Sequence, residues 1–252
     1  MSLPDAFLTT PITHRALHGT GIPENSLAAV RAAVAAGYGI EVDIQPSADG
    51  VAMVFHDDTL DRLTGETGPV ATRTADELGR IALTGGYEGI PTLSEVLETV
   101  GGQVPVLIEI KDQDGAMGTD VGPLERAVAD ALKGYTGPVA VMSFNPHAVA
   151  AMAELAPDVP RGLTTCAWDS DEAAALPEAR RAHLAAIADF DRVGASFISH
   201  DRRDLANPSV AALKARGVPV LCWTVRSLAE ESQAREIADN VTFEGYGALF
   251  PA

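Results

Sequence analysis

Short runs of β-branched and other apolar residues alternate along this chain with longer, Ala-rich stretches whose apolar positions recur at helical spacing. Such a pattern predicts parallel strands joined by crossover helices. Strands are expected at Ile12–Ala16, Gly39–Gln45, Val104–Lys111, Val139–Phe144, Arg161–Cys166, Ala195–Ser199, Val218–Val225 and Asn240–Glu244, eight where a closed barrel needs eight. Helices are expected at Ser26–Ala36, Leu93–Val100, Pro123–Leu132, Pro146–Leu155, Pro177–Phe190, Pro208–Arg216 and Leu228–Ile237, several with Asn or Pro near the start. Local pattern does not show whether the first strand closes on the last, so an open doubly wound sheet competes with a barrel. Val51–His56 reads as an added strand after the Asp49-Gly50 turn, and the polar, Gly-rich stretch 57–89 as a small insertion.

The polar positions decide in favour of a TIM-type (β/α)8 barrel. Core strands are normally apolar, yet these carry His14 and Arg15, Glu41 and Asp43, and Glu109 and Lys111 near their C-terminal ends, where the mouth of such a barrel lies. Side chains alternate along a strand, so Glu41 and Asp43 share one face, as do Glu109 and Lys111. One rim carboxylate alone is usually paired with Lys or Arg. Three on successive barrel strands favour a divalent cation, Mg²⁺ or Ca²⁺, held by Glu41, Asp43 and Glu109. His14 and His56 are suited to proton transfer and Arg15 to gripping a phosphate.

Charge and composition narrow the partners. At 252 residues the chain fits one barrel domain, residues 1–252, with the insertion inside it. A formal net charge of −17 opposes nucleic acid and anionic lipid surfaces, while a local cation can still admit a small phosphorylated substrate. The N-terminal stretch lacks the pattern of an export signal and no segment has the length of an apolar span, so a cytoplasmic protein without stable membrane insertion is expected. Cys166 and Cys222 lie in apolar, strand-like segments and are expected as buried, reduced thiols.

Taken in order, His14-Arg15, Pro23-Glu24-Asn25-Ser26, Glu41-Val42-Asp43, Asp49-Gly50, His56-Asp57, Ile90-Pro91-Thr92-Leu93, Glu109-Ile110-Lys111 and Trp223-Thr224-Val225 make the chain resemble the glycerophosphodiester phosphodiesterases. The resemblance implies a TIM barrel with a divalent metal on Glu41, Asp43 and Glu109, and general acid and base at His14 and His56. It further implies that Arg15 and Lys111 contact phosphoryl oxygens and that Trp223 forms an apolar wall beside the glycerol or the leaving group. The implied reaction is metal-dependent hydrolysis of a glycerophosphodiester to an alcohol and sn-glycerol 3-phosphate. A lysophospholipase D-like or other specialised phosphodiesterase, and a non-catalytic phosphodiester-binding protein, are the competing readings.

Two departures stand out. The family usually has Gly directly after His-Arg, where this chain has Ala16-Leu17-His18, and it often has Thr-Asp on the last strand, where this chain has Phe243-Glu244. His18 is expected as a solvent-facing loop residue. Glu24 and Asn25 suit either a helix cap or orientation of the site; capping is assigned to Asn25 and both roles to Glu24. His200 sits at an expected strand end and is left out of the catalytic set.

Overall fold

The computed structural model describes residues 2–171 and 173–251. The chain begins with α1 (Ala6–Thr9), β1 (Ile12–Thr13), α2 (Leu27–Ala36), β2 (Gly39–Pro46), β3 (Ala52–Val54), α3 (Ala75–Leu78) and α4 (Leu93–Val100). It continues through β4 (Val106–Ile110), α5 (Pro123–Ala131), β5 (Val139–Ser143), α6 (Pro146–Leu155), β6 (Arg161–Thr165) and α7 (Glu178–Ala185). The last elements are β7 (Phe197–Asp201), α8 (Pro208–Ala215), β8 (Val220–Val225), α9 (Leu228–Ala234) and β9 (Asn240–Phe243).

Closure settles the choice between barrel and open sheet. β1 pairs in parallel with β2 on one side and with β9 on the other, and the remaining strands follow in chain order to complete an eight-stranded parallel (β/α)8 barrel. β3 lies outside that circuit, antiparallel to the end of β2.

Period-two alternation sorts the residues of each strand. Ile40, Val42 and Ile44 of β2 and Val106, Ile108 and Ile110 of β4 share an apolar cluster with Val30 of α2 and Val96 of α4. The residues between them, Glu41, Asp43, Leu107 and Glu109, therefore face the lumen. Lower in the lumen, Ile12, Leu107, Met142, Phe197 and Leu221 pack with Phe7 of α1. The Asn240 amide fastens α1 there, donating to the Phe7 and Thr10 carbonyls at 2.7 Å each. The lumen is apolar below and ionic above.

Segment 57–89 folds back on itself through short bridges, among them Thr59 with Pro69 and Thr64 with Leu83. Its Leu60, Val70, Leu78 and Leu83 pack under Met53 and Phe55 as an apolar cluster of their own.

Some boundaries differ from expectation for local reasons. β1 stops at Thr13 because Arg15 and Ala16 adopt positive φ, 53° and 63°, turning the chain out of the sheet. β7 runs to Asp201 instead of Ser199 and so brings His200 into the strand. α7 ends at Ala185, shortly before Ile187 takes a φ of 50°.

Gly162 on β6 pairs with Phe197 on β7, and a Cβ built on it would lie 2.4 Å from the Phe197 ring. Because Phe197 is fully buried, Gly162→Ala is expected to destabilise the fold by about 1–3 kcal/mol through overpacking. A lowered denaturation midpoint with an unchanged slope would show it.

Candidate active site

Glu41, Asp43 and Glu109 converge at the upper lumen. Asp43 and Glu109 are paired in register on adjacent strands, and one oxygen from each of the three carboxylates lies within 4.8 Å of the others. All three are buried, Glu109 the least so at 6% exposed. Lys111, just beyond β4, reaches back with Nζ 2.6 Å from Asp43 Oδ1 and in contact with Glu109. Burial raises the Glu41 carboxyl pKa well above its ordinary value, and the neighbouring charges of Asp43 and Glu109 add to this. Burial acts the same way on Asp43, but Lys111, His56 and Arg15 outweigh it and hold that group ionised. Three hard oxygen donors gathered at this spacing, with the Glu41 carboxyl still raised by its neighbours, suit a divalent cation.

Around this cluster the polypeptide is bent to deliver backbone as well as side-chain groups. The left-handed turn at Arg15 aims its N–H at Glu41 Oε2, 2.8 Å away, and Ala16 N–H donates to the Glu41 carbonyl. Left-handed backbone costs an L-residue about 1–2 kcal/mol, which these buried hydrogen bonds offset. The Arg15 guanidinium donates to Glu24 Oε1 at 2.7 Å and places Nε 3.5 Å from Asp43 Oδ2. That Nε is buried with no hydrogen-bond partner among the described residues. Arg62 donates to both Glu24 and Asp57, which ties the clamp to the second histidine.

Asn25 is not a helix cap. Ser26 caps α2 by accepting from Ala29 N–H, while Asn25, buried at φ 55°, donates through Nδ2 to Asp43 Oδ2 at 2.9 Å. Glu24 contacts Arg15 and Arg62, so its role is to hold the arginine beside the acids.

Each rim histidine has a carboxylate on the same ring atom. His14 Nδ1 is 2.6 Å from Glu244 Oε2, and His56 Nδ1 is 2.7 Å from Asp57 Oδ1. A carboxylate on Nδ1 fixes that nitrogen as the donor and leaves Nε2 to exchange a proton. Burial lowers the His56 pKa; Lys111 and Arg15 act in the same sense, and Asp43 and Asp57 oppose them. Burial also opposes ionisation of Asp57, but hydrogen bonds from Arg62 and His56 prevail and keep it low.

The two departures from the family pattern meet at Glu244. His18 does not face solvent freely: its Nε2 lies 3.6 Å from Glu244 Oε2, with the side chain a quarter exposed. Arg226 donates to the remaining oxygen of Glu244 at 2.7 Å. Contacts from His14 and His18 hold the Glu244 carboxyl far below the usual range, against the effect of burial.

Trp223 lies in the second half of β8, its indole N–H donating to the Ser199 carbonyl at 3.0 Å. Its ring is edge-on with Phe144, which in turn meets Trp168. His200 is fully buried, bonded to Thr165 and Asp204, which is a structural role. Cys222 is buried as expected, whereas Cys166 is only half-buried, and both are free thiols.

Of the eight residues singled out from the sequence, His14, Arg15 and Lys111 lie just beyond the ends of β1 and β4, His56 follows β3, Glu109 is near the end of β4, Trp223 is in the second half of β8, and Glu41 and Asp43 lie within β2. Those near the acids are gathered by direct contacts, and Trp223 sits across the rim with the aromatics. Asp57 was visible beside His56 in the quoted motif. Glu244 and His18 were visible only as departures, and nothing local marks Arg62 as a bridge.

A closed (β/α)8 barrel with histidines and buried carboxylates at its C-terminal rim is the architecture of the barrel enzymes. Residues 14–241 match the glycerophosphoryl diester phosphodiesterase family, and the chain belongs to it. A glycerophosphodiester phosphodiesterase of Caldanaerobacter subterraneus subsp. tengcongensis is 34% identical over 165 residues, 62% of this chain and 66% of that protein. A putative glycerophosphodiester phosphodiesterase of Bacillus subtilis is 28% identical over 86% of each chain. Among solved structures, a phosphodiesterase of Oleispira antarctica in complex with the product sn-glycerol-3-phosphate superposes with a TM-score of 0.76. It is 26% identical and covers 95% of this chain and 94% of its own.

Replacing Glu244 by Gln removes an ionised group that His14 and Arg226 contact. Its depressed pKa stabilises the fold above the ordinary value of 4.5, and this contribution declines as pH falls below that value toward the folded pKa. Glu244→Gln is therefore expected to cost about 1–2 kcal/mol near neutral pH, with a smaller deficit near about pH 3. Paired urea melts of the two proteins at both pH values would measure the gap.

Proposed function

We propose that this protein hydrolyses glycerophosphodiesters to an alcohol and sn-glycerol 3-phosphate. The observation that carries this reading is the pair of histidines, each with Nδ1 on a carboxylate, on a rim that also holds three buried acids and Arg15. The Oleispira relative, crystallised with sn-glycerol-3-phosphate, supports the product.

Glu41, Asp43 and Glu109 would hold one divalent cation, Mg²⁺ or Ca²⁺, which when bound withdraws charge from a phosphoryl oxygen. Arg15, held beside Asp43 and Glu24, binds a non-bridging oxygen of the diester through its planar fork. Lys111, already charged at the edge of the acid cluster, contributes a second positive group beside the phosphoryl oxygens. One histidine removes a proton at Nε2 from the attacking hydroxyl, of water or of the substrate's own glycerol. The other delivers a proton from Nε2 to the departing alkoxide, so that the alcohol leaves neutral; where the glycerol hydroxyl attacks, water then opens the cyclic phosphate to sn-glycerol 3-phosphate with the two histidines exchanging roles. Asp57 and Glu244 keep the two rings oriented and stabilise whichever imidazolium forms. Trp223 gives the organic part of the substrate an apolar wall.

Release of glycerol 3-phosphate from glycerophosphocholine and glycerophosphoethanolamine, with added Mg²⁺ or Ca²⁺, tests the reaction. His14→Ala and His56→Ala are each expected to lower kcat by about 10²–10⁴-fold while far-UV circular dichroism stays unchanged. Wild-type rates in either variant would exclude proton transfer by that histidine. Saturable substrate binding without any phosphomonoester, at excess metal, would mark a binding protein instead.

Chelation provides a separate check on the acids. EDTA is expected to abolish product release and re-addition of Mg²⁺ or Ca²⁺ to restore it in the wild type, but not in Glu41→Ala. Full activity in metal-free buffer would remove the assignment of Glu41, Asp43 and Glu109.

A further inference from the structure

Opposite the acid cluster, the rim of the barrel over β5 to β8 encloses a second feature. A cavity of about 360 Å³ is lined by Phe144, Cys166, Trp168, Asp169, Asp201 and Trp223, within the size range of small-molecule sites. Trp168 and Trp223 are the chain's two tryptophans. Phe144 stands nearly perpendicular to both indoles, 84° in each case, with ring centroids 5.7 and 5.5 Å apart. The rings thus pack edge to face and not as a stack, and all three border the cavity.

The charges of this cavity have one sign in excess. Asp201 is neutralised by Arg203, whose Nε lies 3.1 and 3.0 Å from its two oxygens, and among the described residues Arg203 is the lone cationic one lining the space. Asp169 is exposed at the mouth and forms no ion pair among the described residues. Burial pushes the Cys166 thiol pKa up to about 11, a backbone hydrogen bond at Trp168 opposes this, and the charges of Asp201, Asp169 and Asp204 add smaller increases.

Aromatic faces beside an uncompensated carboxylate select a cation that carries its own apolar surface. Rings attract such a cation through their quadrupole at about 6 Å or less from the centroid, and the methyl groups of a quaternary ammonium need no hydrogen bonds. A neutral polyol gains nothing from the ring quadrupoles, and an anionic head group would meet Asp169. The geometry points to a subsite for a quaternary ammonium group on the alcohol that leaves the phosphodiester, walled by Phe144, Trp168 and Trp223 and closed electrostatically by Asp169. This assignment rests on the phosphodiesterase reading of the adjoining rim, and it makes the choline ester the favoured head group.

Because both tryptophans line the cavity, intrinsic fluorescence reads its occupancy without turnover. The full-length protein is titrated with choline and with 3,3-dimethylbutanol, the uncharged isostere, in wild type and Asp169→Asn. Asp169 is at the surface, so the variant keeps the fold, which circular dichroism confirms. Saturable change with choline is expected, with Kd about 5- to 30-fold tighter than for the isostere and an advantage reduced severalfold in Asp169→Asn. Choline binding no tighter than the isostere, or an advantage undiminished by Asp169→Asn, would overturn the subsite. In a parallel assay, kcat/KM for glycerophosphocholine should exceed that for the 3,3-dimethylbutyl diester, and equal values would overturn it as well. A protein that binds choline with this preference yet releases no glycerol 3-phosphate would support the subsite and refute the reaction.

Discussion

Three carboxylates held within reach of one another, out of contact with water, are the constraint around which the upper half of this barrel is arranged. Like charges at that spacing repel strongly in a low-dielectric interior, so each acid is met by a group of opposite sign or by a donor. Lys111 contacts Asp43 and Glu109, Asn25 donates to Asp43, and the Arg15 N–H donates to Glu41. The left-handed turn after β1 and the buried Asn25 both follow from that need, since each brings a donor to a carboxylate that the sheet alone would leave bare.

From the acids the order spreads outward through charge. Arg15 links Asp43 to Glu24, Arg62 links Glu24 to Asp57, and Asp57 holds His56. On the other flank Glu244 joins His14, His18 and Arg226. The two histidines are thus oriented by separate carboxylates from separate parts of the chain, one adjacent in sequence and one 230 residues away. A site built in this way is rigid at its core and becomes more open toward β5 to β8, where aromatic rings replace ions as the lining. That division of the rim, ionic on one side and aromatic on the other, matches a substrate with a phosphate at one end and an organic group at the other.

Much of the site was legible because it sits on strands. Period-two alternation puts Glu41 with Asp43 and Glu109 with Lys111 whatever the partners are, and strand-end position marks them as mouth residues before any contact is known. Asn25 was misread because a polar residue just before a helix looks the same whether it caps that helix or turns away from it; the φ of 55° that turns it toward Asp43 depends on the position of β2. His18 was misread for a related reason, as its environment is made by Glu244 from the far end of the chain. The early end of β1 at Thr13 likewise goes with hydrogen bonds from Arg15 and Ala16 to Glu41 on the adjacent β2 and not with any local breaker.

What the sequence by itself determined was the barrel strands and the seven helices between them, the lumenal side of each acid, and the family, since these depend on local periodicity and on ordered short motifs; the short α1 and α3 were not foreseen. Tertiary structure alone decided closure of β1 on β9, the pairing of His14 with Glu244, the bridge made by Arg62, and the union of Phe144, Trp168 and Trp223 in one cavity. The physical reason is range. Side-chain alternation acts over neighbouring residues, whereas charge pairing and ring packing act through space between segments that only the closed barrel brings together.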